Sequence, residues 1–377
     1  MRKPYFIDTT LRDGEQAPGL VFSLKQKMVL CELLDKAGIP ELEVGMPAMS
    51  NEEMAHLIAI AEKNFHFKRL GWCRANERDI HQAIASKVNG VHISFPVSQI
   101  LQDAMNKDRS WVMDNVSELI HVARSEFEYV TIGAQDAGRA DKSFLEDFAS
   151  KVESLGASRI RLADTVGILN PFTTSALVAS VHHAATSIPI EMHAHNDMGM
   201  ATANTVAAFL SGANCLSVTV NGIGERAGNA ALEEVAVALK ISEKIDVPID
   251  FALISQLSDL VSEMSGRPIP VDKPIIGRDV ISHESGIHVN CLIKDQNTYQ
   301  LFPAKMVGRK EAEIVFGLHS GKSSIRYILN RLNIKYNDKE CAQLLEMVKE
   351  KASICGRTLD EYEVIKLYNE LKLYCYG

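Results

Sequence analysis

The feature that most constrains the fold is an alternation of short β-rich segments with amphipathic helical segments over the first 250 residues. The candidate strands lie at Tyr5–Asp8, Glu41–Gly45, Arg69–Cys73, Gly90–Phe95, Tyr129–Ala134, Arg159–Asp164, Ile190–His195 and Cys215–Asn221. The candidate helices lie near Leu24–Ala37, Glu52–Asn64, Glu77–Ser86, Trp111–Ser125, Ser143–Leu155, Pro171–Ala185, Met200–Ser211 and Ala230–Ile245. Eight such βα units over about 245 residues predict an α/β protein with a (β/α)8 TIM barrel.

A doubly wound open sheet is the competing fold, but the first βα turn lacks the glycine-rich GxGxxG pattern that such sheets carry. One more helix is expected at Phe251–Ser265. The alternation then stops at a proline-rich stretch, Gly266–Pro274, which indicates a linker. We therefore expect a barrel over 1–265, a linker and an irregular subdomain over 266–320 and a mostly helical C-terminal subdomain over 321–377.

The composition excludes several classes of protein. With 46% apolar residues, 23% charged residues and a net charge of -8, the chain is not expected to be disordered or to bind nucleic acid. No apolar run reaches the ~18 residues that span a bilayer, and no signal peptide is recognisable, so a cytoplasmic protein is expected. The seven cysteines form no CxxC pair and are expected to be free thiols.

Polar residues crowd the predicted carboxyl ends of strands 1 and 7, where barrel enzymes carry their active sites. Asp8–Gln16 follows strand 1, and His193 and His195 end strand 7. Residues at i and i+2 of a strand share a face, so the two imidazoles point the same way. Such a pair favours a metal site over ordinary core histidines, with Asp13 or Asp164 as the candidate third ligand.

Three further loops lie at the same predicted mouth: Gln135–Arg139, Asp164–Gly167 and Asn221–Asn229. Each alone is equally typical of a solvated loop, but together they supply hydroxyl, amide and guanidinium groups. Because a guanidinium binds a carboxylate through two hydrogen bonds, a small acid with a carbonyl group is the natural substrate class. Outside the barrel, His283–His288 and Tyr299 are typical either of acid/base catalysis or of a polar surface turn.

Three motifs in this order resemble the acyl-CoA condensing enzymes of the DRE-TIM metallolyase superfamily. They are Asp8-Thr9-Thr10-Leu11-Arg12-Asp13-Gly14-Glu15-Gln16, His193-Ala194-His195-Asn196-Asp197 and Asn221-Gly222-Ile223-Gly224-Glu225-Arg226-Ala227-Gly228-Asn229. The resemblance covers nearly the whole chain, and the group includes isopropylmalate, citramalate and homocitrate synthases. Three further stretches, Glu43–Met49, Val91–Ser98 and His283–His288, are most similar to the homocitrate synthases of the nitrogen-fixation type. The C-terminal regulatory domain usual in isopropylmalate synthases is not expected here.

The resemblance implies a metal-assisted condensation of acetyl-CoA with a 2-oxo acid, followed by hydrolysis of the thioester. The implied ligands of a divalent ion (Zn, Mn, Mg, Co or Fe) are Asp13, His193, His195 and, nearby, Asn229. The implied substrate contacts are Arg12, Gln16, Arg74 and Thr165. Arg12 would also stabilise the growing alkoxide, and His288, helped by Tyr299, would be the base. In the family these last two come from a partner subunit, so a homodimer with exchanged C-terminal subdomains is implied.

Two residues depart from the family pattern. Gln135 stands where the family usually has Glu, and Gly138 where many homocitrate synthases have Ser. An amide cannot accept a proton as a carboxylate can, so Gln135 implies slower catalysis or a different substrate. Loss of a negative charge there could favour a more anionic acid, such as a phosphonate-bearing pyruvate.

The sequence supports 2-oxoglutarate as the first choice of oxo acid, ahead of 2-oxoisovalerate and pyruvate, with phosphonopyruvate as an outsider. The products would be homocitrate from 2-oxoglutarate, and isopropylmalate, citramalate and 2-phosphonomethylmalate from the other three acids in turn. Two further hypotheses are a lyase or aldolase of the same superfamily and a degenerate, non-catalytic homologue. The His283–His288 stretch argues against a lyase, and the intact Asp13, His193 and His195 set argues against a degenerate homologue.

Overall fold

The computed structural model describes residues 2–310 and 313–376. The chain divides into two compact units, Met1–Pro268 and Ile269–Gly377. The outer ends of the predicted domains, Met1 and Gly377, lie outside the described residues. The expected division of the second part at residue 320 stays a prediction.

The first unit is a closed barrel of parallel strands in the order β1 to β8. The strands are β1 (Tyr5–Asp8), β2 (Glu41–Gly45), β3 (Lys68–Arg74), β4 (Gly90–Pro96), β5 (Tyr129–Gln135), β6 (Arg159–Asp164), β7 (Ile190–Ala194) and β8 (Cys215–Val218). Pairing of β1 with β8, from Tyr5 opposite Cys215 to Asp8 opposite Val218, closes the barrel. The predicted TIM barrel is confirmed.

Helices connect the strands and follow the last one. They are α1 (Leu24–Lys36), α2 (Asn51–Ala61), α3 (Glu77–Ala85), α4 (Gln99–Ala104), α5 (Arg109–Glu126), α6 (Lys142–Ser154), α7 (Pro171–Ala184), α8 (Ala201–Ser211), α9 (Leu232–Ile241) and α10 (Ile254–Ser265). The short α4 was not predicted; it begins after Ser98, whose hydroxyl accepts the Leu101 amide. Strand β8 ends earlier than predicted because Val220–Gly222 turns away as a 3-10 helix, with Asn221 at a φ of 61°.

The inside of the barrel holds a row of six buried, oppositely charged side chains, here called the ion ladder. In order of contact they are Glu41, Arg159, Glu191, Arg161, Glu43 and Arg12. Every adjacent pair has a nitrogen–oxygen distance of 2.6 or 2.7 Å. Three guanidinium groups therefore balance three carboxylates in a region that excludes water.

The second unit begins with irregular chain and ends in three packed helices. It contains α11 (Gly286–Leu292), the short parallel strands β9 (Ser282–His283) and β10 (Glu313–Ile314), and α12 (Lys322–Arg331), α13 (Asp338–Cys355) and α14 (Glu361–Tyr376). Buried side chains such as Leu329, Leu344 and Val364 form the core of the three-helix cluster. The C-terminal region is therefore mostly helical, as predicted.

The structure bears on two expectations from the composition, one about membrane-spanning helices and one about the cysteines. No helix among the described residues combines the length and the apolar character needed to cross a membrane. Six cysteines are free thiols, namely Cys31, Cys73, Cys215, Cys291, Cys341 and Cys355. The side chain of Cys375 lies outside the described part.

We expect Arg159→Met to destabilise the protein by about 3–5 kcal/mol, because it leaves the buried carboxylates of Glu41 and Glu191 without a cation. Glu62→Gln is the matched control, since it breaks an exposed ion pair with Lys87 (3.3 Å) that is worth at most about 1 kcal/mol. Urea unfolding of both variants measures the difference. Equal losses in the two variants would contradict a structural role for the ladder.

Candidate metal centre and substrate pocket

The loop after β1 brings Arg12 and Asp13 into the barrel mouth. The Thr9 carbonyl accepts the backbone amides of Arg12 (3.1 Å), Asp13 (2.9 Å) and Gly14 (3.0 Å), which folds the chain into a tight turn. The carboxylate of Asp8 fixes the start of this turn by accepting the amide (3.0 Å) and the hydroxyl (2.9 Å) of Thr10. Arg12 and Asp13 are both buried as a result.

Asp13, His193 and His195 meet in one buried cluster whose ligand atoms all lie within 4.8 Å of one another. Asp13 Oδ2 is 2.9 Å from His193 Nε2 and 3.5 Å from His195 Nε2. The i, i+2 spacing of the histidines therefore places both imidazoles on one side, as predicted. Asp164, the other candidate ligand, instead accepts the amides of Ile168 and Leu169.

The orientation of the two histidines suits metal binding. His195 Nδ1 donates to the backbone carbonyl of Asp164 (3.1 Å), which directs Nε2 toward Asp13. Although burial lowers the pKa of His195, the neighbouring Asp13 carboxylate raises it above its ordinary value. His193 Nδ1 contacts the hydroxyl of Ser217 at 2.8 Å. Burial lowers the pKa of His193 to about 4, so this imidazole is neutral near pH 7 and can act as a ligand.

Unsatisfied polar atoms show that the cluster fits a cation. Asp13 Oδ2, His195 Nε2 and Asn229 Oδ1 are all buried without a hydrogen-bond partner among the described residues. Buried polar atoms are nearly always satisfied, so the two such atoms in the cluster indicate a missing ligand; the third belongs to Asn229, whose backbone pairs with that of His195. Gly224 allows this arrangement, because a Cβ there would lie 2.2 Å from Asn229 Nδ2. A nitrogen and oxygen donor set of this kind suits a divalent transition metal.

Arg12 is held in place at the top of the ion ladder. Its Nε donates to Glu43 Oε2 at 2.6 Å, and its Nη1 lies 3.4 Å from Gln16 Oε1. The guanidinium also lies over the ring of Trp72, 5.7 Å from the centroid. Although burial raises the pKa of Glu43, the charges of Arg12 and Arg161 hold it well below its ordinary value, so this partner stays ionised.

Thr165 is oriented to donate a hydrogen bond. Its hydroxyl oxygen accepts the backbone amide of Asp136 at 2.8 Å, so the hydroxyl hydrogen is left for another acceptor in the cavity. Gly138 lies close by, and a Cβ at that position would be 3.2 Å from Asp164, Ile168 and Leu169. The glycine that departs from the homocitrate synthase pattern therefore relieves crowding against the end of β6 and the loop that follows it.

These side chains line one cavity of about 220 Å3, here called the catalytic cavity. Of the predicted site residues, it includes Arg12, Asp13, Gln16, Gln135, Thr165, His193 and His195. Arg74 is not among them, because its guanidinium binds both oxygens of Asp79 and its side chain is 60% exposed. The structure therefore does not bring Arg74 to the position expected for a contact with a second substrate carboxylate.

The cavity wall also contains residues that we did not predict. Trp72 on β3, His92 and Ser94 on β4, and Arg161 on β6 all line the cavity. Inward-facing positions of strands that surround the predicted metal ligands are the signal that could have found them. Burial, together with the charge of Arg161, holds the pKa of His92 well below its ordinary value, so this histidine is neutral.

In the second unit, His288 and Tyr299 lie side by side. Their rings stack with centroids 4.1 Å apart and an angle of 22° between the planes. His288 is exposed, and Tyr299 is 44% exposed. The predicted pair is therefore assembled and accessible to solvent within its own unit.

Residues 3–261 match the HMGL-like family, and residues 275–355 match the family described as homocitrate synthase post-HMGL domain-like. The chain is 42% identical to "Homocitrate synthase 1" of Nostoc sp., over 98% of this chain and 98% of that protein. It belongs to the HMGL-like family.

Other relatives in the family carry different names. The chain is 41% identical to "2-isopropylmalate synthase 2" of Caldanaerobacter subterraneus, over 97% of this chain and 95% of that protein. It is 36% identical to "2-phosphonomethylmalate synthase" of Streptomyces rubellomurinus, over 96% and 97%. The solved hydroxymethylglutaryl-CoA lyase of Pseudomonas aeruginosa has the same barrel fold, with a TM-score of 0.64, 20% identity, and coverage of 71% of this chain and 94% of that one.

We expect Asp13→Asn to weaken binding of Mn2+ or Zn2+ to the metal-free protein at least tenfold, or about 1.4 kcal/mol, because it removes the anionic ligand. Glu225→Gln is the control, since Glu225 is a carboxylate at the same cavity but outside the cluster. Isothermal titration calorimetry measures both. Unchanged affinity in the Asp13 variant would mean that the cluster is not the metal site.

Proposed function

We propose that this protein condenses acetyl-CoA with 2-oxoglutarate to form homocitrate. Its relatives named homocitrate synthase, together with the match of residues 275–355, indicate an acetyl-CoA-dependent transferase that condenses a 2-oxo acid. The observation that carries the proposal is the buried cluster of Asp13, His193 and His195 beside Arg12, in a chain that matches a homocitrate synthase along its whole length. The choice of 2-oxoglutarate is supported by several relatives named homocitrate synthase.

In this proposal Asp13, His193, His195 and Asn229 hold a divalent metal ion. The ion, which could be Zn, Mn, Mg, Co or Fe, supplies Lewis-acid polarisation of the oxo acid's carbonyl group when bound. The side-chain oxygen of Asn229 and Nε2 of His195, both buried without a hydrogen-bond partner among the described residues, support their assignment as ligands.

Arg12 and Thr165 bind and orient the oxo acid. The hydroxyl hydrogen of Thr165 donates to the substrate carboxylate, because its oxygen already accepts the Asp136 amide. Arg12, fixed by Glu43, presents its outer nitrogens to the alkoxide that grows on the keto oxygen. Gln16 contacts Arg12 and lines the same wall, which supports its role as a substrate contact.

His288 is the proposed base, assisted by Tyr299. It removes a proton from the methyl group of acetyl-CoA, and the methyl carbon then bonds to the keto carbon. Water cleaves the thioester to release free CoA and the product carboxylate. We propose that the pair acts on the barrel of a partner subunit in a homodimer; its exposure and its stacked geometry are compatible with this role.

A second candidate is condensation of a 2-oxo acid with an uncharged side chain. In the described part of the chain, the cations lining the catalytic cavity are Arg12 and Arg161, and both already bind carboxylates. The Thr131 hydroxyl donates to a backbone carbonyl and accepts from His92 Nδ1, so His92 Nε2 is an acceptor and would repel a second carboxylate. The charge pattern of this cavity wall is the specific observation that favours 2-oxoisovalerate or pyruvate as the substrate.

Release of free thiol from acetyl-CoA, followed colorimetrically with each 2-oxo acid, tests the proposal. We expect the highest kcat/KM with 2-oxoglutarate among 2-oxoglutarate, 2-oxoisovalerate, pyruvate and phosphonopyruvate, and no release without an oxo acid. A preference for 2-oxoisovalerate or pyruvate would establish the second candidate. No release with any acid would contradict the condensation itself.

We expect Gln135→Glu to lower the ratio of kcat/KM for phosphonopyruvate to kcat/KM for pyruvate at least fivefold, or about 1 kcal/mol. A carboxylate at this position lines the cavity and repels an additional negative charge on the substrate. Gln99→Glu is the control, because Gln99 is exposed on α4 and lies outside the cavity. An unchanged ratio would show that Gln135 does not set substrate charge.

A further inference from the structure

A second cavity of about 570 Å3 adjoins the catalytic cavity, and we call it the side cavity. It lies among the loops after β3 and β4 and the helix α5. Trp72, Ser94 and Gln135 line both cavities, so the two spaces share a wall at the carboxyl ends of β3, β4 and β5. At about 220 Å3 the catalytic cavity is smaller than the ~300–1,000 Å3 typical of ligand pockets, whereas the side cavity falls within that range.

The wall of the side cavity is mainly apolar. Its apolar lining residues include Trp72, Pro96, Met105, Trp111 and Leu119. An apolar surface of this kind favours an alkyl chain or a thioether over a strongly hydrated group.

The charged groups of the side cavity argue against an anionic ligand end. Glu77 and Glu118 line it as exposed carboxylates, and the guanidinium of Arg74 is already paired with Asp79. Lys107 is the remaining cation among the described lining residues, and its Nζ lies over the ring of Trp111, 4.2 Å from the centroid. One ammonium against two carboxylates leaves a net negative charge.

We propose that the side cavity binds the far end of long, uncharged side chains of 2-oxo acids, so that the protein accepts straight-chain acids of six to eight carbons. The proposal rests on the condensation proposed above but not on the identity of its preferred short substrate. With the keto acid group at the cluster of Asp13, His193 and His195, a long side chain passes Trp72 and Ser94 into the apolar space. Trp72 is then the residue that separates short from long substrates.

The series 2-oxobutanoate, 2-oxohexanoate and 2-oxooctanoate tests this in the thiol-release assay. Burial of one methylene group corresponds to at most roughly fourfold in a binding constant, so we expect kcat/KM to rise along the series. Asn115→Phe fills the side cavity from α5. It should lower the ratio of kcat/KM for 2-oxooctanoate to kcat/KM for 2-oxobutanoate at least tenfold. Asp114→Phe, an exposed neighbour outside the lining, should leave that ratio unchanged.

Binding can be followed separately from turnover, because the chain has two tryptophans and both line the side cavity. In a Trp72→Phe variant the remaining Trp111 lines the side cavity and not the catalytic cavity. We expect 2-oxooctanoate, but not 2-oxobutanoate, to change its fluorescence with saturation, and Asn115→Phe to abolish the change.

The outcomes separate the two proposals. Turnover of 2-oxobutanoate with falling kcat/KM for longer acids, and no change in Trp111 fluorescence, would overturn the side-cavity proposal alone. Absence of thiol release with saturable Trp111 fluorescence would overturn the condensation but support the cavity. If Asn115→Phe instead raised the KM for acetyl-CoA equally with all acids, the cavity would hold the arm of acetyl-CoA, and our proposal would be wrong.

Discussion

The ion ladder inside the barrel is the interaction on which the rest of the site depends. It connects β2, β6 and β7 through Glu41, Arg159, Glu191 and Arg161, and it reaches the β1 loop through Glu43 and Arg12. Each charge is buried, so each is tolerated only because its neighbours are opposite in sign. The orientation of Arg12, the side chain proposed to stabilise the alkoxide, thus depends on the packing of the barrel core.

The ion ladder also explains why Asp13, His193 and His195 can be held together before any ligand binds. Glu191 precedes His193 by two residues on β7, so the ion pairs that fix the strand also fix the face that carries both histidines. Asp13 follows Arg12 directly, and the turn at Thr9 holds the two side chains on neighbouring sides of the mouth. A site built on strand ends and one tight turn keeps its geometry without support from mobile loops.

The sequence predicted the barrel and the meeting of His193 and His195 with an acidic side chain because both follow from local rules. Alternating elements specify the βα units, and the i, i+2 spacing of His193 and His195 specifies a shared face. The ion pair of Arg74 could not be predicted because its partner, Asp79, lies on the next helix, and a bidentate pair cannot be seen from spacing alone. The ladder was missed for the same reason: Glu41 and Arg159 are 118 residues apart.

The internal cations are paired with carboxylates of the ion ladder, and this pairing has a consequence for substrate specificity. Arg12 and Arg161 supply guanidinium groups to the catalytic cavity, and their carboxylate partners cancel much of the field that would attract a second substrate anion. For the second candidate, an oxo acid with an uncharged side chain, selection would therefore depend on shape and on neutral groups such as Trp72, His92 and Gln135. The neutral amide of Gln135 suits the charge balance of this cavity. A carboxylate there would add a negative charge that no free cation among the described lining residues balances.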